Sequence, residues 1–69
     1  MVVSYSKLWK LLIDNQMNKG DLQKASKMSS TSMAKLGKNE KVSLDILLRI
    51  CKVLQCDIGD VMEAIDDEL

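Results

Sequence analysis

Asn18-Lys19-Gly20-Asp21-Leu22-Gln23-Lys24-Ala25-Ser26-Lys27-Met28-Ser29-Ser30-Thr31-Ser32-Met33-Ala34-Lys35-Leu36 reads as two short helices joined by a turn of about three residues. Asn18 is a good helix start, because its side-chain oxygen can accept the backbone amide of Asp21. Asp21 stands where a carboxylate can reach back to the Asn18 amide, a reciprocal capping box. The first helix then spans about Lys19 to Ser26, with Leu22 and Ala25 inward. Ser29 is the next cap, heading Ser30 to Leu36, and Met33 and Leu36 are the apolar pair of that helix. Ser30, Thr31, Ser32 and Lys35 occupy its remaining surface. Serine-rich helices are weak by propensity, so neighbours must hold this one, and its hydroxyls call for another reason.

The flanking sequence supplies those neighbours. Tyr5, Leu8, Leu11 and Leu12 recur at helical spacing, with Trp9 and Ile13 beside them and Lys7, Lys10 and Asp14 facing out. A helix is expected from about Ser6 to Gln16, capped by Ser4 or Ser6, with Tyr5 and Trp9 as core. Gly37 to Val42 reads as a loop, with Asn39 as its left-handed residue. Ser43 caps the strongest helix, and Asp45 in its first turn complements the dipole. Leu44, Leu47, Leu48, Cys51 and Leu54 form one stripe there, widened by Ile46, Ile50 and Val53, as in the central helix of a bundle. Asp57-Ile58-Gly59-Asp60 repeats the cap-and-acid pattern and opens a last helix with Ile58, Val61, Met62 and Ile65 inward; residues 66–69 are expected to fray. With no proline, no phenylalanine and three glycines, strands and their turns find little support. The expected fold is all-α, five helices in a single domain over 1–69, with Leu12, Leu22, Met33, Leu47, Cys51 and Leu54 at its centre.

Composition narrows the function. Sixty-nine residues make one small domain, and 46% apolar content suits a folded one. No apolar run approaches the length of a membrane span and no signal peptide is read, so a cytoplasmic location is expected. Cys51 and Cys56 sit five apart, which fits neither a redox pair nor metal-ligand spacing, and both are read as reduced. Histidine is absent, removing the usual general base and the commonest metal ligand. Ser-x-x-Lys at Ser4–Lys7 and Ser32–Lys35 has no companion motif and is read as coincidence. No enzyme activity, cofactor or metal is expected. The zero net charge hides an asymmetry: the ten basic side chains all lie before residue 57, while Asp57, Asp60, Glu63, Asp66, Asp67 and Glu68 follow with no base among them. A basic body with an acidic end is the result.

Two short helices in this arrangement, the second starting at a capped hydroxyl residue, have helix-turn-helix geometry. Over residues 6–65 the chain resembles the phage-repressor and Cro-like (XRE-type) helix-turn-helix transcriptional regulators. Asn18, Leu22, Met28, Ser29 and Met33 match the motif in register. Ser43 to Leu54 and Cys56 to Met62 match the fourth and closing helices. Two positions depart from the pattern: Lys27 replaces the usual turn glycine, and the small residue after the third helix is displaced, with Gly37 and Asn39 around Lys38. The resemblance implies a double-stranded DNA partner and a regulator, expected to be a repressor, that reads the major groove with the third helix. It places Ser30, Thr31 and Ser32 at base edges. Lys35 lies one turn further, within reach of a base or a phosphate. It places Lys19 at the phosphate backbone, and Lys38, Asn39 and Lys41 in a backbone-clamping loop. Ser29 is left to its capping role.

Two-fold operators imply a homodimer. Val2, Val3, Ile65 and Leu69 gather exposed hydrophobes at the termini for such a contact; alternatively, Val2-Val3 folds back on its own core. The competing function is a protein-interaction module of the same fold, an antitoxin or anti-repressor, whose acidic end grips a basic partner.

Overall fold

The computed structural model describes residues 1–67; Glu68 and Leu69, and with Leu69 one of the terminal hydrophobes invoked above, lie outside the described residues. Five helices, α1 (Ser6–Asp14), α2 (Lys19–Ser26), α3 (Ser30–Gly37), α4 (Leu44–Leu54) and α5 (Ile58–Val61), run between two short strands, β1 (Val2–Ser4) and β2 (Glu63–Ile65). Leu8 and Leu12 of α1, Leu22 of α2, Met33 and Leu36 of α3, Leu47, Ile50 and Cys51 of α4, and Val61 of α5 close one core with Tyr5 and Met28. Leu54 packs against it, half-buried. Helices α2, α3 and α4 keep the expected bounds to within a residue, whereas α1 stops two residues early, at Asp14, and Ala25 of α2, expected inward, is exposed.

Side chains set the helix starts. Asn18 and Asp21 form the full capping box, Asp21 N donating to Asn18 Oδ1 at 2.8 Å and Asn18 N to Asp21 Oδ2 at 3.1 Å. Asp57 and Asp60 repeat it at α5. Ser43 accepts from the Ile46 amide at 3.3 Å. At α1 the cap position is Tyr5 rather than Ser4 or Ser6, and its side chain caps nothing. Ser4 still covers one free donor, its Oγ accepting from the Ser6 amide at 3.3 Å.

Three expectations are corrected. Strand β1 pairs antiparallel with β2, Val2 opposite Ile65 and Ser4 opposite Glu63, so a small sheet joins the helices. The Val2-Val3 segment folds back on its own chain, and Val3 packs against the core. Helix α5 ends after one turn because Met62 is extended, φ −143° and ψ 160°. Ile65 therefore lies on a strand, 42% exposed, instead of on an inward helix face. Third, the apolar stripe of α4 is narrower than its leucines suggest. Leu47 and Cys51 are buried, whereas Leu44 and Leu48 are 60% and 52% exposed. On α1, Ile13 likewise faces out.

Candidate nucleic-acid interface

Helix α3 is held from three sides. At its start, Ser29 Oγ accepts from the Ser32 amide at 3.1 Å and lies 3.2 Å from the Ser32 hydroxyl. From α2, Gln23 Nε2 donates to Ser30 Oγ at 3.2 Å. Met33 and Leu36 anchor its inner face in the core. Ser30, Thr31 and Lys35 are exposed on its outer side. Residues 31 and 35 are one turn apart and share a stripe. Ser32 is half-buried and occupied with Ser29, so of the three hydroxyl positions only Thr31 carries no hydrogen bond among the described residues.

The turn before α3 shows how the chain manages without glycine. Lys27 adopts the left-handed conformation, φ 57° and ψ 36°, a backbone that costs about 1–2 kcal/mol for a residue with a Cβ. Compensating bonds surround it. The Met28 amide returns to Gln23 O at 3.2 Å, closing the C-terminus of α2, and Met28 is buried. Arg49 of α4 reaches across, its Nη1 donating to Lys27 O at 3.2 Å while Nη2 holds Asp45 at 2.7 Å. The motif is thus braced by the central helix through one guanidinium.

Lys19, Lys38 and Lys41 gather at the C-terminal end of α3. Lys19 projects its Nζ over the Trp9 ring, 4.5 Å from the centroid, a cation–π contact that fixes where its charge sits. A Cβ added at Gly37 would lie 3.9 Å from that Nζ, so Lys19 stands beside the far end of α3. Beyond it comes the loop. Asn39 is left-handed, φ 55°, and its Oδ1 accepts from the Tyr5 amide at 3.1 Å. The Tyr5 hydroxyl donates to Glu40 O at 2.8 Å, and burial raises the phenol's pKa above its ordinary value. The loop is therefore tied to the start of α1 by a ring that is 1% exposed. Lys38 and Lys41 are exposed. Lys35, Asn39 and Lys41 share a cleft of about 460 Å³ with Met1, Val2, Val3 and Glu40. Strand β1 borders this cleft, and the acidic strand β2 is paired to β1. The Met1 ammonium holds Asp67 at 3.1 Å.

Of the residues expected at a DNA surface, the structure brings Lys35, Asn39 and Lys41 together and sets Lys19 beside the end of α3. Asn39 already spends its side-chain oxygen inside the fold. The sequence reading missed Gln23, Trp9 and Arg49, which position Ser30, Lys19 and the turn. The signal for Gln23 was the seven-residue spacing to Ser30 across a tight turn; for Arg49, 22 residues from Lys27, there was none.

A capped, hydroxyl-bearing helix presented outward by a bracing helix, with lysines gathered at its C-terminal end, defines a helix-turn-helix nucleic-acid-binding domain. The model of the Cro/C1-type HTH DNA-binding domain matches residues 7–67, and the chain belongs to that family. The crystal structure of transcriptional regulator VanUg, form II, superposes with a TM-score of 0.93 at 57% identity, covering 96% of this chain and 88% of that one. No curated protein matches the chain. Among the described residues no helix is long and apolar enough to cross a membrane.

Proposed function

We propose that this protein is a sequence-specific transcriptional regulator that inserts α3 into the major groove of double-stranded DNA and acts as a cytoplasmic repressor. The observation that carries this reading is the division of α3 into a fixed inner face and a presented outer one. Met33, Leu36 and Ser29 hold the helix, while Ser30, Thr31 and Lys35 are left facing out. Hydroxyls at the start of such a helix donate to or accept from base edges, and the Thr31 methyl packs on a thymine methyl. Lys19, Lys38 and Lys41 neutralise phosphates beside the C-terminal end of α3, and the free side-chain nitrogen of Asn39 adds a donor to the same backbone. Phosphates also favour the N-terminus of α2. Carboxylates beside phosphates repel, and Asp67, which reaches the Lys35–Asn39–Lys41 cleft through Met1, is held there by the Met1 ammonium.

Repression needs only occupancy of a site that overlaps a promoter. One α3 reads only a short stretch of groove, so a homodimer on an inverted repeat supplies the rest of the contact. The similarity to a transcriptional regulator at 57% identity supports the same reading. The experiment is selection of bound duplexes from a random pool. Enrichment of one inverted-repeat sequence is the expected result. Salt-sensitive retention of the whole pool with no enriched sequence contradicts specific reading.

A further inference from the structure

Helices α2 and α4 pack against each other, and their C-terminal ends meet at one open cleft of about 800 Å³. Each helix closes there on a left-handed residue, Lys27 at φ 57° and Gln55 at φ 52°. Ala25 and Val53 supply an apolar floor, and the ionisable side chains around it are Lys27, Arg49 and Lys52. Among the described residues no carboxylate lines the cleft. The acids nearest in sequence on α4 and α5 are spent elsewhere, Asp45 on Arg49 at 2.7 Å and Asp57 on the cap of α5. Arg49 is occupied too, by Asp45 and by Lys27 O. The uncommitted charges are therefore the ammoniums of Lys27 and Lys52, both on exposed residues and neither bonded or ion-paired among the described residues. Solvated lysines are ordinary on a small domain; these two share a cleft with apolar ground between them.

The cleft is separate from the surface assigned to DNA. Lys19 opens α2 and Lys27 closes it. Lys41 precedes α4, whereas Lys52 lies in its last turn. From Leu44 to Lys52 the helix rises about 12 Å, so Lys52 sits at the opposite end of α4 from the loop that carries Lys38 and Lys41.

Its chemistry also differs from that of a phosphate clamp. A helix ends in carbonyls that no further turn satisfies, and they make its C-terminus partly negative. A duplex backbone brings anionic oxygens, which such carbonyls repel. A peptide brings N–H donors for the carbonyls, carboxylates for the ammoniums and a side chain for the floor. We propose that this cleft docks an acidic segment of a partner protein, an extended run of Asp and Glu interrupted by an aliphatic residue. Carboxylates pair with Lys27 and Lys52, and the aliphatic side chain lies on Ala25 and Val53. Charge complementarity selects this occupant, because a basic segment would meet only like charge at the rim. The chain can then hold a protein while α3 is engaged elsewhere, and the cleft does not depend on the DNA-binding reading.

Amide-shift titration of the full chain with the peptide Glu-Asp-Glu-Leu-Glu-Asp-Glu tests this, alongside its Gln and Asn counterpart. Shifts are expected at Ala25, Lys27, Lys52, Val53 and Gln55, with the neutral counterpart bound about tenfold more weakly or worse. Lys52→Glu should lower affinity for the acidic peptide by about tenfold or more, and Lys52→Arg should retain it. Lys52→Glu should leave the fold and duplex affinity intact, and protein saturated with its selected duplex should bind the peptide as the free chain does. Absence of binding at millimolar peptide overturns the proposal, as does equal binding of the neutral counterpart or of Lys52→Glu. Shifts centred on Lys19, Lys38 and Lys41, or displacement of the peptide by duplex, place the acidic segment on the DNA surface and overturn it as well. So does a Lys52→Glu chain whose salt slope on duplex is flattened, because Lys52 is then a phosphate contact. If no duplex is bound at all, the DNA-binding reading fails, and the titration of the free chain decides the cleft by itself.

Discussion

Helices α3 and α4 do opposite work with similar-sized pieces of chain. Helix α4 carries Leu47, Ile50 and Cys51 into the core and is edged by residues that fix other elements, above all Arg49. Helix α3 carries two core residues and a surface of serine, threonine and lysine that stabilises little. Its own propensity is poor, and it is helical because Ser29, Gln23 and the core hold it. Under the proposed function, a helix held in this way can vary its outer residues at small cost to the fold, provided that the brace does not vary with it.

The largest expected effect tests the brace. Leu47→Ala should cost about 2–5 kcal/mol of unfolding free energy, a large share of what so small a domain possesses. Its neighbour Leu44, three residues earlier and 60% exposed, should cost about 0.5 kcal/mol or less on truncation to Ala in the monomer. Denaturant melts of the two variants measure the contrast, and equal losses would break it. Next comes the cap of α3. Ser29→Ala should remove about 1 kcal/mol by freeing the Ser32 amide, and the loss should be seen first as faster amide exchange within α3. Lys27→Gly should act in the opposite sense, stabilising by about 0.5–1 kcal/mol because glycine meets no Cβ penalty at φ 57°.

The smallest effect lies at the end of α4. The Cys56 amide returns to Cys51 O at 3.1 Å across left-handed Gln55, which brings the two cysteines together. Burial first, then the Cys51 thiol and the carboxylates of Asp60 and Asp57, push the Cys56 thiol up from 9.0 to about 11. Its proton is held more tightly in the folded chain than in the unfolded one. The stability this contributes is therefore whole below about pH 9 and is lost as pH climbs toward 11. Tyr5 shifts in the same direction and adds to the alkaline loss. Thiol alkylation of the folded chain should accordingly stay slow near neutrality and accelerate only toward pH 11. Fast labelling at pH 7.5 would place Cys56 in a different environment.

What could be read in the sequence was local. The box at Asn18 and Asp21, the cap at Ser29 and the bounds of α2 follow from residues a few positions apart. So does the left-handed Asn39. The structure adds what long separations create. Strand β1 finds β2 about sixty residues away by backbone pairing alone, and three-residue strands leave no periodicity to detect. The tie from Asn39 to Tyr5 spans 34 residues, which turns an expected clamp residue into a structural one as well. Leu44 and Leu48 fit a helical stripe, and which edge of that stripe stays outside depends on packing by α2 and α5, not on spacing. At the interface, residue types along α3 were legible, whereas Ser32 turning to Ser29 was not.

The central claim is that α3 reads bases while the lysines around it hold phosphates. Salt titrations of wild type, Thr31→Ala and Lys38→Ala on a specific and a scrambled duplex test it most directly. If a dimer neutralises about six to eight phosphates, log affinity should fall with log salt at a slope of about −5 to −7. Lys38→Ala should flatten that slope by about one for each phosphate left without its lysine, and weaken both duplexes alike. Thr31→Ala should leave the slope unchanged and weaken the specific duplex alone, by about 1–3 kcal/mol at most. Equal weakening of both duplexes by both variants, with the slope untouched, would contradict the assignment of α3 as the reading head.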